Sequence, residues 1–381
     1  MQRFRGIEGA RGWLSWIVVI GHLIVVTRFG AVVSGSSVLV EATGHAVSVF
    51  IVISGFVICH LLVSDPEPYR TYLVRRWLRI YPVYFVCLMI GVAVLLILAR
   101  FTTYTQPLDF DETLHYAHQL RELDQGRFVP HLLLDLTLLQ GMVPNNLLDE
   151  APYMFLGTSW TLSLEWQFYL VAPLVIAAMR RPGWNIVAVL AIGFGVFAFQ
   201  RGDFGMFFTP SILPAAGIQF AIGIVTRLAI DRLPALSRFP WLPVVGLALA
   251  ACFLPRTAYL VGWVVIVAYI KLTPAAFDRD RIARLVRAAL DSRFVRALGR
   301  RSYPVYLLHA PVLAVVAHAG FAGLHLDGVP LLLFTAVVGF SLTALGAELL
   351  HRFVERPGIA LGHRFSAPRA AAPPSTEPAK V

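Results

Sequence analysis

The chain has 381 residues, of which 57% are hydrophobic and only 14% charged, with a mean hydropathy of +0.70. A soluble domain carries about 25% charged residues, so a water-soluble protein is excluded and a polytopic membrane protein is indicated. The net charge of +10 raises the question of a polyanionic partner, which its distribution along the chain answers.

Apolar runs fall near residues 13–29, 44–63, 82–99, 160–179, 184–200, 207–226, 240–255, 257–274, 302–320 and 329–350. Against the usual length of about 20 residues per span, they predict an all-α fold with about ten transmembrane helices. With the N-terminus inside, the cytoplasmic segments hold all of the 32 basic residues except Arg28, Arg100, Arg121, Arg127, Arg201 and Arg256. This bias places both termini in the cytoplasm of a multi-pass plasma (inner) membrane protein. Basic charge therefore reports orientation, and no nucleic-acid partner is expected. Residues 1–357 form the membrane domain, and 358–381 form a disordered cytoplasmic tail, Ala- and Pro-rich from 365.

The first run, RGWLSWIVVIGHL, is bracketed by Arg11 and His22. Eleven steps at about 100° each make three turns plus roughly 20°, so the two side chains share one helix face about 16 Å apart. In a bilayer core of about 30 Å, Arg11 lies at the headgroups and His22 near the middle, where ionisable groups are candidates for function. Arg11 suits either an orientation anchor or a ligand for phosphate or carboxylate, and Glu8 can pair with it one turn earlier. His22 suits either an intramembrane hydrogen bond or a reactive group. The basic start and apolar run resemble a signal peptide, but His22 and the lack of an A-x-A site favour a retained helix.

The third run is entered by RRWLRIYP, where Arg75, Arg76 and Arg79 lie within about one turn. They suit phosphoester binding or orientation. The segment 101–158 is extracytoplasmic, with acidic DFDE at 109–112 and HLLLDLTLLQ at 131–140. That run is too short to span and is expected as an interfacial or re-entrant helix, or a packed loop. In GTSWTLSLEWQFYL, Glu165 stands inside an apolar span, where a lone carboxylate is costly and calls for a partner, a proton or a polar cavity. The stretch 278–301 reads as a basic amphipathic helix at an anionic leaflet. RSYPVYLLHAPV places His309 inside the ninth span with Tyr303 and Tyr306 nearby, as an interfacial aromatic belt or a functional cluster. HRFVERP ends the last helix at Pro357, with Arg352 and Glu355 at salt-bridge spacing as a structural cap. Cys59, Cys87 and Cys252 lack CxxC spacing and read as lipid-buried thiols, and no metal site is expected.

In order, the pieces IEGARG with Arg11-x10-His22, VFIVISGFVI, RRWLRIYPVY, LTLLQG, SWTLSLEWQFYLVAPL, SYPVYLLHAPV and RFVERP resemble the integral-membrane acyltransferase family 3. That family includes bacterial O-acetyltransferases of surface polysaccharides and macrolide acyltransferases. The resemblance covers about residues 6–357. It implies an acyl donor, acyl-CoA and usually acetyl-CoA, acting as co-substrate with no permanently bound cofactor. It also implies an acceptor hydroxyl, often on a carbohydrate or glycosylated small molecule. By motif, Arg11 and His22 match the family's essential pair and Arg76 and Arg79 its Arg-x-x-Arg element. Glu165 matches the first of two adjacent acids, the second being Trp166 here. His309 matches the histidine of a Tyr-Leu-x-His motif, with Ala310 in place of the usual aromatic.

The expected chemistry is acyl transfer with His22 as general base or, less directly, as acyl carrier. Arg11, Arg75, Arg76 and Arg79 hold the CoA phosphates, Glu165 orients the histidine or acceptor, and His309 assists on the donor side. Two rivals exist. Intramembrane proteolysis at Ser54-Gly55 lacks a nucleophile motif, and a proton-coupled transporter or exporter of a glycan or lipid would use Glu165, His22 and His309 as a relay. The broken, repeated helices of such a transporter are not evident.

Overall fold

Gly9, Gly12 and Gly21 lie along one helix, α1 (Arg5–Val26), and let other backbones come against it. The computed structural model describes residues 4–29, 37–100 and 111–365. After α1 come α2 (Ser37–Ser64), α3 (Tyr69–Arg100), α4 (Asp111–Asp124), α5 (Phe128–Leu136), α6 (Trp160–Met179), α7 (Trp184–Gln200) and α8 (Gly217–Ala229). Then follow α9 (Trp241–Phe253), α10 (Tyr259–Lys271), α11 (Pro274–Arg279), α12 (Arg281–Asp291) and α13 (Arg293–Arg300). The chain closes with α14 (Ser302–His318), α15 (Gly328–Leu350) and α16 (Arg356–Arg364). Among the described residues the only β feature is an isolated bridge between Leu236 and Leu272, as an all-α fold requires.

Six segments are long and apolar enough to cross a membrane: Arg5–Val26, Val38–Ser64, Tyr69–Leu98, Trp160–Met179, Ser302–Gly323 and Gly328–Arg364. The other four apolar runs form shorter helices. Pro210 and Pro214 hold off the helix of the sixth run until 213, and Pro255 separates α9 from α10. The 13-residue helices α9 and α10 rise only about 20 Å. Outward faces are strongly apolar, as at Phe194 and Phe253, which suits a lipid surround.

α1 packs against α2, α10, α12, α13, α14 and α15. Apolar interhelical attraction gains little in lipid, so small residues that permit close backbone approach do much of the holding. A Cβ on Gly9 would stand 1.9 Å from the Leu290 carbonyl oxygen, and one on Gly299 1.8 Å from that of Glu8. The same device joins α2 to α8, where a Cβ on Gly223 would meet the Val52 oxygen at 2.1 Å. The largest buried cluster lies between α2, α3, α6 and α14, with Tyr72, Tyr84, Leu88, Leu164 and Leu307. Cys59 and Cys87 are buried there, while Cys252 is exposed on α9; all three are free thiols.

Several expectations change. The stretch 278–301 is three short helices, not one, because Asp280 and Ser292 act as N-caps, accepting from the backbone N–H groups of Ile282 and Val295. Leu285 and Phe294 remain exposed there among arginines. Pro357 does not end the last helix. A five-residue π turn, His351–Glu355, precedes it, and Pro357 sits in the first turn of α16, where its missing N–H is harmless. The expected tail boundary therefore moves, since 358–364 are helical and lie on α3, with Gly358 against the Leu78 carbonyl. Residues 366–381 lie outside the described residues, as do 101–110 with the start of the acidic run at 109–112. The salt bridge of Arg352 is with Glu348 at 3.1 Å, and Glu355 pairs with His351 at 2.7 Å.

The 131–140 run forms α5 and a 3-10 turn at Gln140–Met142, and α5 is inverted in polarity. His131 and Asp135 are fully buried, whereas Val129 and Leu133 face outward. The Tyr84 hydroxyl donates to the Asp135 carbonyl at 2.8 Å and to its Oδ1 at 3.2 Å, and Tyr81 donates to Leu136. Burial holds the Asp135 carboxyl well above the usual carboxylate range, with the Tyr84 bond opposing.

Two outcomes follow from this packing. Gly299→Leu should separate α1 from α13 and cost at least about 1–3 kcal/mol, read as a lowered melting temperature or loss of the monodisperse species in detergent. In the fold Asp135 keeps its proton to higher pH than in the unfolded chain, where it ionises above about pH 4, so stability falls as pH rises from there toward the raised native value. Asp135→Asn should remove that slope, and its melting temperature should exceed that of the wild type by a margin that is larger at pH 8 than at pH 5.

Candidate active site

Two groups of side chains meet on the face of α1. Helical periodicity places Arg11 and His22 on that face, and the neighbouring helices supply the rest. Around Arg11 stand Arg79 of α3, Glu165 and Tyr169 of α6, and Glu355 from the π turn, all within its electrostatic reach. Arg76 lies in the field of Tyr169, Arg79, Tyr72 and Arg75. The expected Glu8–Arg11 pair is not formed among the described residues. Arg11 turns to the interior, where two carboxylates offer stronger Coulombic interaction than one at a wet helix end.

Glu165 is fixed through one oxygen. Its Oε1 accepts from Ser54 Oγ at 3.0 Å and from the Tyr169 hydroxyl one turn along its own helix. This accounts for Ser54: its hydroxyl is bonded to a carboxylate, and among the described residues no histidine touches it, so the protease reading has no geometry. Trp166, in the place of a second acid, packs edge-on to Trp77 at 5.1 Å.

Three arginines thus gather here, and of them Arg11 stands within reach of both Glu165 and Glu355. Among the described residues Arg11, Arg76 and Arg79 form no ion pair with a carboxylate within 4.0 Å, and the Nε atoms of Arg11 and Arg76 are buried without a hydrogen-bond partner. Unmatched buried guanidinium N–H groups are costly, and a phosphate-bearing ligand supplies the missing acceptors. Arg75 is set apart from this group: it pairs with Glu67 at 2.8 Å and approaches His363 of α16 at 3.4 Å.

Three turns from Arg11 lies the second group. His22 Nδ1–H donates to the Val18 carbonyl at 2.9 Å, and His22 Nδ1 stands 3.3 Å from His309 Nε2. A carbonyl carries no proton, so Nδ1 of His22 must be the protonated nitrogen, and Nε2 keeps its lone pair. Among the described residues Nε2 makes no hydrogen bond. His309 is fully buried and lies beside His22, away from the arginines. The physical reason is its position one to two turns inside α14, where that helix crosses α1 beyond the charged end. Between the groups stand Tyr303 and Tyr306. Tyr306 accepts from Thr161 Oγ1 at 3.0 Å, and its ring centroid lies 6.0 Å from that of His309.

Sequence reasoning missed Tyr169 and Glu355. Tyr169 follows Glu165 by four residues, a spacing that could have signalled the contact. Glu355 is 3% exposed, and its inward direction depends on a π turn that no sequence period announces.

The chain matches the family model described as "Acyltransferase domain" over residues 4–347. It is similar to the acyltransferase MdmB of Streptomyces mycarofaciens, 26% identical over 406 aligned positions that cover 99% of this chain and 97% of that protein. It is also similar to the O-acetyltransferase OatA of Staphylococcus aureus (strain NCTC 8325 / PS 47), 25% identical over 52% of this chain and 35% of that protein. No solved structure matches. With the match running across nearly the whole chain, this protein is an acyltransferase and belongs to the membrane acyltransferase family 3.

Proposed function

We propose that the chain is a membrane O-acyltransferase that moves an acyl group, acetyl in the simplest case, from acyl-CoA to a hydroxyl of a carbohydrate or glycosylated small molecule. The observation that carries this reading is a histidine with a bare Nε2 on the same helix face as Arg11, beside which Arg76 and Arg79 of α3 also stand without an ion pair. Those arginines match the donor, since a CoA carries several phosphates and unmatched guanidinium N–H groups ask for such acceptors. Arg11, Arg76 and Arg79 hold the CoA phosphates, with Arg75 at the rim. Glu165 and Glu355 keep the arginines separated and aimed. A distance of about 16 Å along α1 is one that a pantetheine arm bridges, bringing the thioester toward His22.

Acyl transfer to an alcohol needs the O–H weakened as the new bond forms. His22 Nε2 takes the hydroxyl proton while the oxygen attacks the thioester carbonyl. The C–S bond then breaks, the ester leaves, and the proton passes from His22 to the CoA sulfur. The balance closes with ester and free CoA. In this reading the chain makes about ten crossings of the inner membrane with both termini cytoplasmic, so that the arginines meet acyl-CoA from the cytoplasm. The four short apolar helices each cross where the bilayer thins locally and flanking polar residues snorkel to its surfaces. A transporter using the same histidines and Glu165 as a relay is not favoured by the family to which the chain belongs.

Purified protein given acetyl-CoA and a panel of cell-wall oligosaccharides and glycosylated macrolides should release free CoA only with an acceptor present. His22→Ala should lower that rate by about 100-fold or more while the protein stays monodisperse; near-normal turnover would refute the base. Arg76→Ala and Arg79→Ala should each raise KM for acetyl-CoA about tenfold with a smaller change in kcat, as removal of a ground-state contact requires.

A further inference from the structure

Resting on the reading of His22 as base, we infer that His309 is the positioning residue for it. Its Nε2 accepts the Nδ1–H of His22 and steadies the imidazolium that forms during acyl transfer.

The assignment follows from two backbone carbonyls. His309 Nδ1 lies 3.1 Å from the Val305 carbonyl and His22 Nδ1 2.9 Å from that of Val18. A neutral imidazole has one N–H, and a carbonyl can only accept. Both rings therefore carry their proton on Nδ1, and both Nε2 atoms carry a lone pair. The 3.3 Å approach between the rings joins His22 Nδ1 to His309 Nε2, which is donor to acceptor and not two donors in conflict. The rings meet edge to face, 5.0 Å between centroids at 64°. The Nδ1–H of His22 is thus shared between Val18 and His309, and the ring can neither turn nor change tautomer without losing both acceptors.

No carboxylate bonds either histidine among the described residues. In a Ser-His-Asp triad an acid orients the imidazole and stabilises its charged form. Here a neutral imidazole does so without adding a second charge to an apolar interior, where an unpaired ion is costly. His309 is itself immobilised, since it is fully exposed to no solvent and flanked on α14 by the buried Val305, Tyr306, Leu307 and Leu308. During the reaction His22 Nε2 gains the acceptor proton, the positive charge spreads over its two N–H groups, and His309 Nε2 and Val18 accept at Nδ1. The proton leaves from Nε2 to the CoA sulfur, and none is transferred to His309.

The full-length chain, labelled with [15N]histidine and placed in lipid bilayers, tests this by solid-state NMR without any substrate. The two sites are assigned by the signals lost in His22→Gln and His309→Gln. The expected result is protonated Nδ1 and bare Nε2 at both residues, with the His22 Nδ1 signal shifted in His309→Leu and less so in His309→Gln. A protonated Nε2 on His309 beside a protonated Nδ1 on His22 would overturn the proposal and leave the base intact. A proton on Nε2 of His22 would overturn the base reading itself, and the proposal with it. In turnover of acetyl-CoA with the oligosaccharide panel, His309→Leu should lower kcat about tenfold or more with KM for acetyl-CoA within about twofold. His309→Gln, whose amide oxygen can accept the Nδ1–H, should recover most of the loss. Unchanged kcat in His309→Leu, or a raised KM with unchanged kcat, overturns the positioning role.

Discussion

A helix that must hold a guanidinium at one end and an imidazole three turns along it sets the terms for everything packed around it. α1 cannot wander, because the distance and phase between Arg11 and His22 are those of the helix itself. Its neighbours fix it by approaching through glycines, and a Cβ on Gly9 or on Gly299 would strike a backbone carbonyl. Rigidity in lipid thus comes from close contact rather than from a hydrophobic drive that the solvent does not supply. The same contacts bring the short helices α12 and α13 directly against the segment of α1 that carries Arg11.

Charge is unevenly settled along that helix. At the arginine end three guanidinium groups gather, and the two acids within reach of Arg11 are engaged elsewhere, Glu165 by Ser54 and Tyr169 and Glu355 by His351. At the histidine end no carboxylate, lysine or arginine bonds either ring among the described residues, and each Nδ1–H has a backbone carbonyl as acceptor. Under the proposed function this division has a reason: uncompensated positive charge attracts the phosphate-bearing donor, while an apolar interior leaves the base free to accept a proton and return it.

The architecture was legible where it depended on composition and period. The apolar runs at 13–29, 44–63, 82–99, 160–179, 302–320 and 329–350 became the long helices, and the Arg11–His22 spacing became a shared face because α1 is unbroken. Legibility failed where local chemistry overrode period. Asp280 and Ser292 capped new helices inside a stretch whose amphipathic pattern looked continuous. Prolines shortened the helices of the seventh and eighth runs. That His309 meets His22, 287 residues away, was not legible because residues distant in sequence meet only through tertiary packing. Ser54 and Glu355 carried motifs, but what they touch could not be read from their neighbours.

The turn at His351–Glu355 gives the last helix an unusual kind of constraint. A π turn holds an extra residue in one wide loop of an otherwise α-helical run, and α16 beyond it is laid along α3 with Gly358 on the Leu78 carbonyl. Removing that extra residue would restore ordinary winding and leave α16 nearly in phase, so Gly358 would keep its seat while the residues inside the turn changed direction. The wide turn therefore serves to aim Glu355 at Arg11 rather than to place the helix that follows.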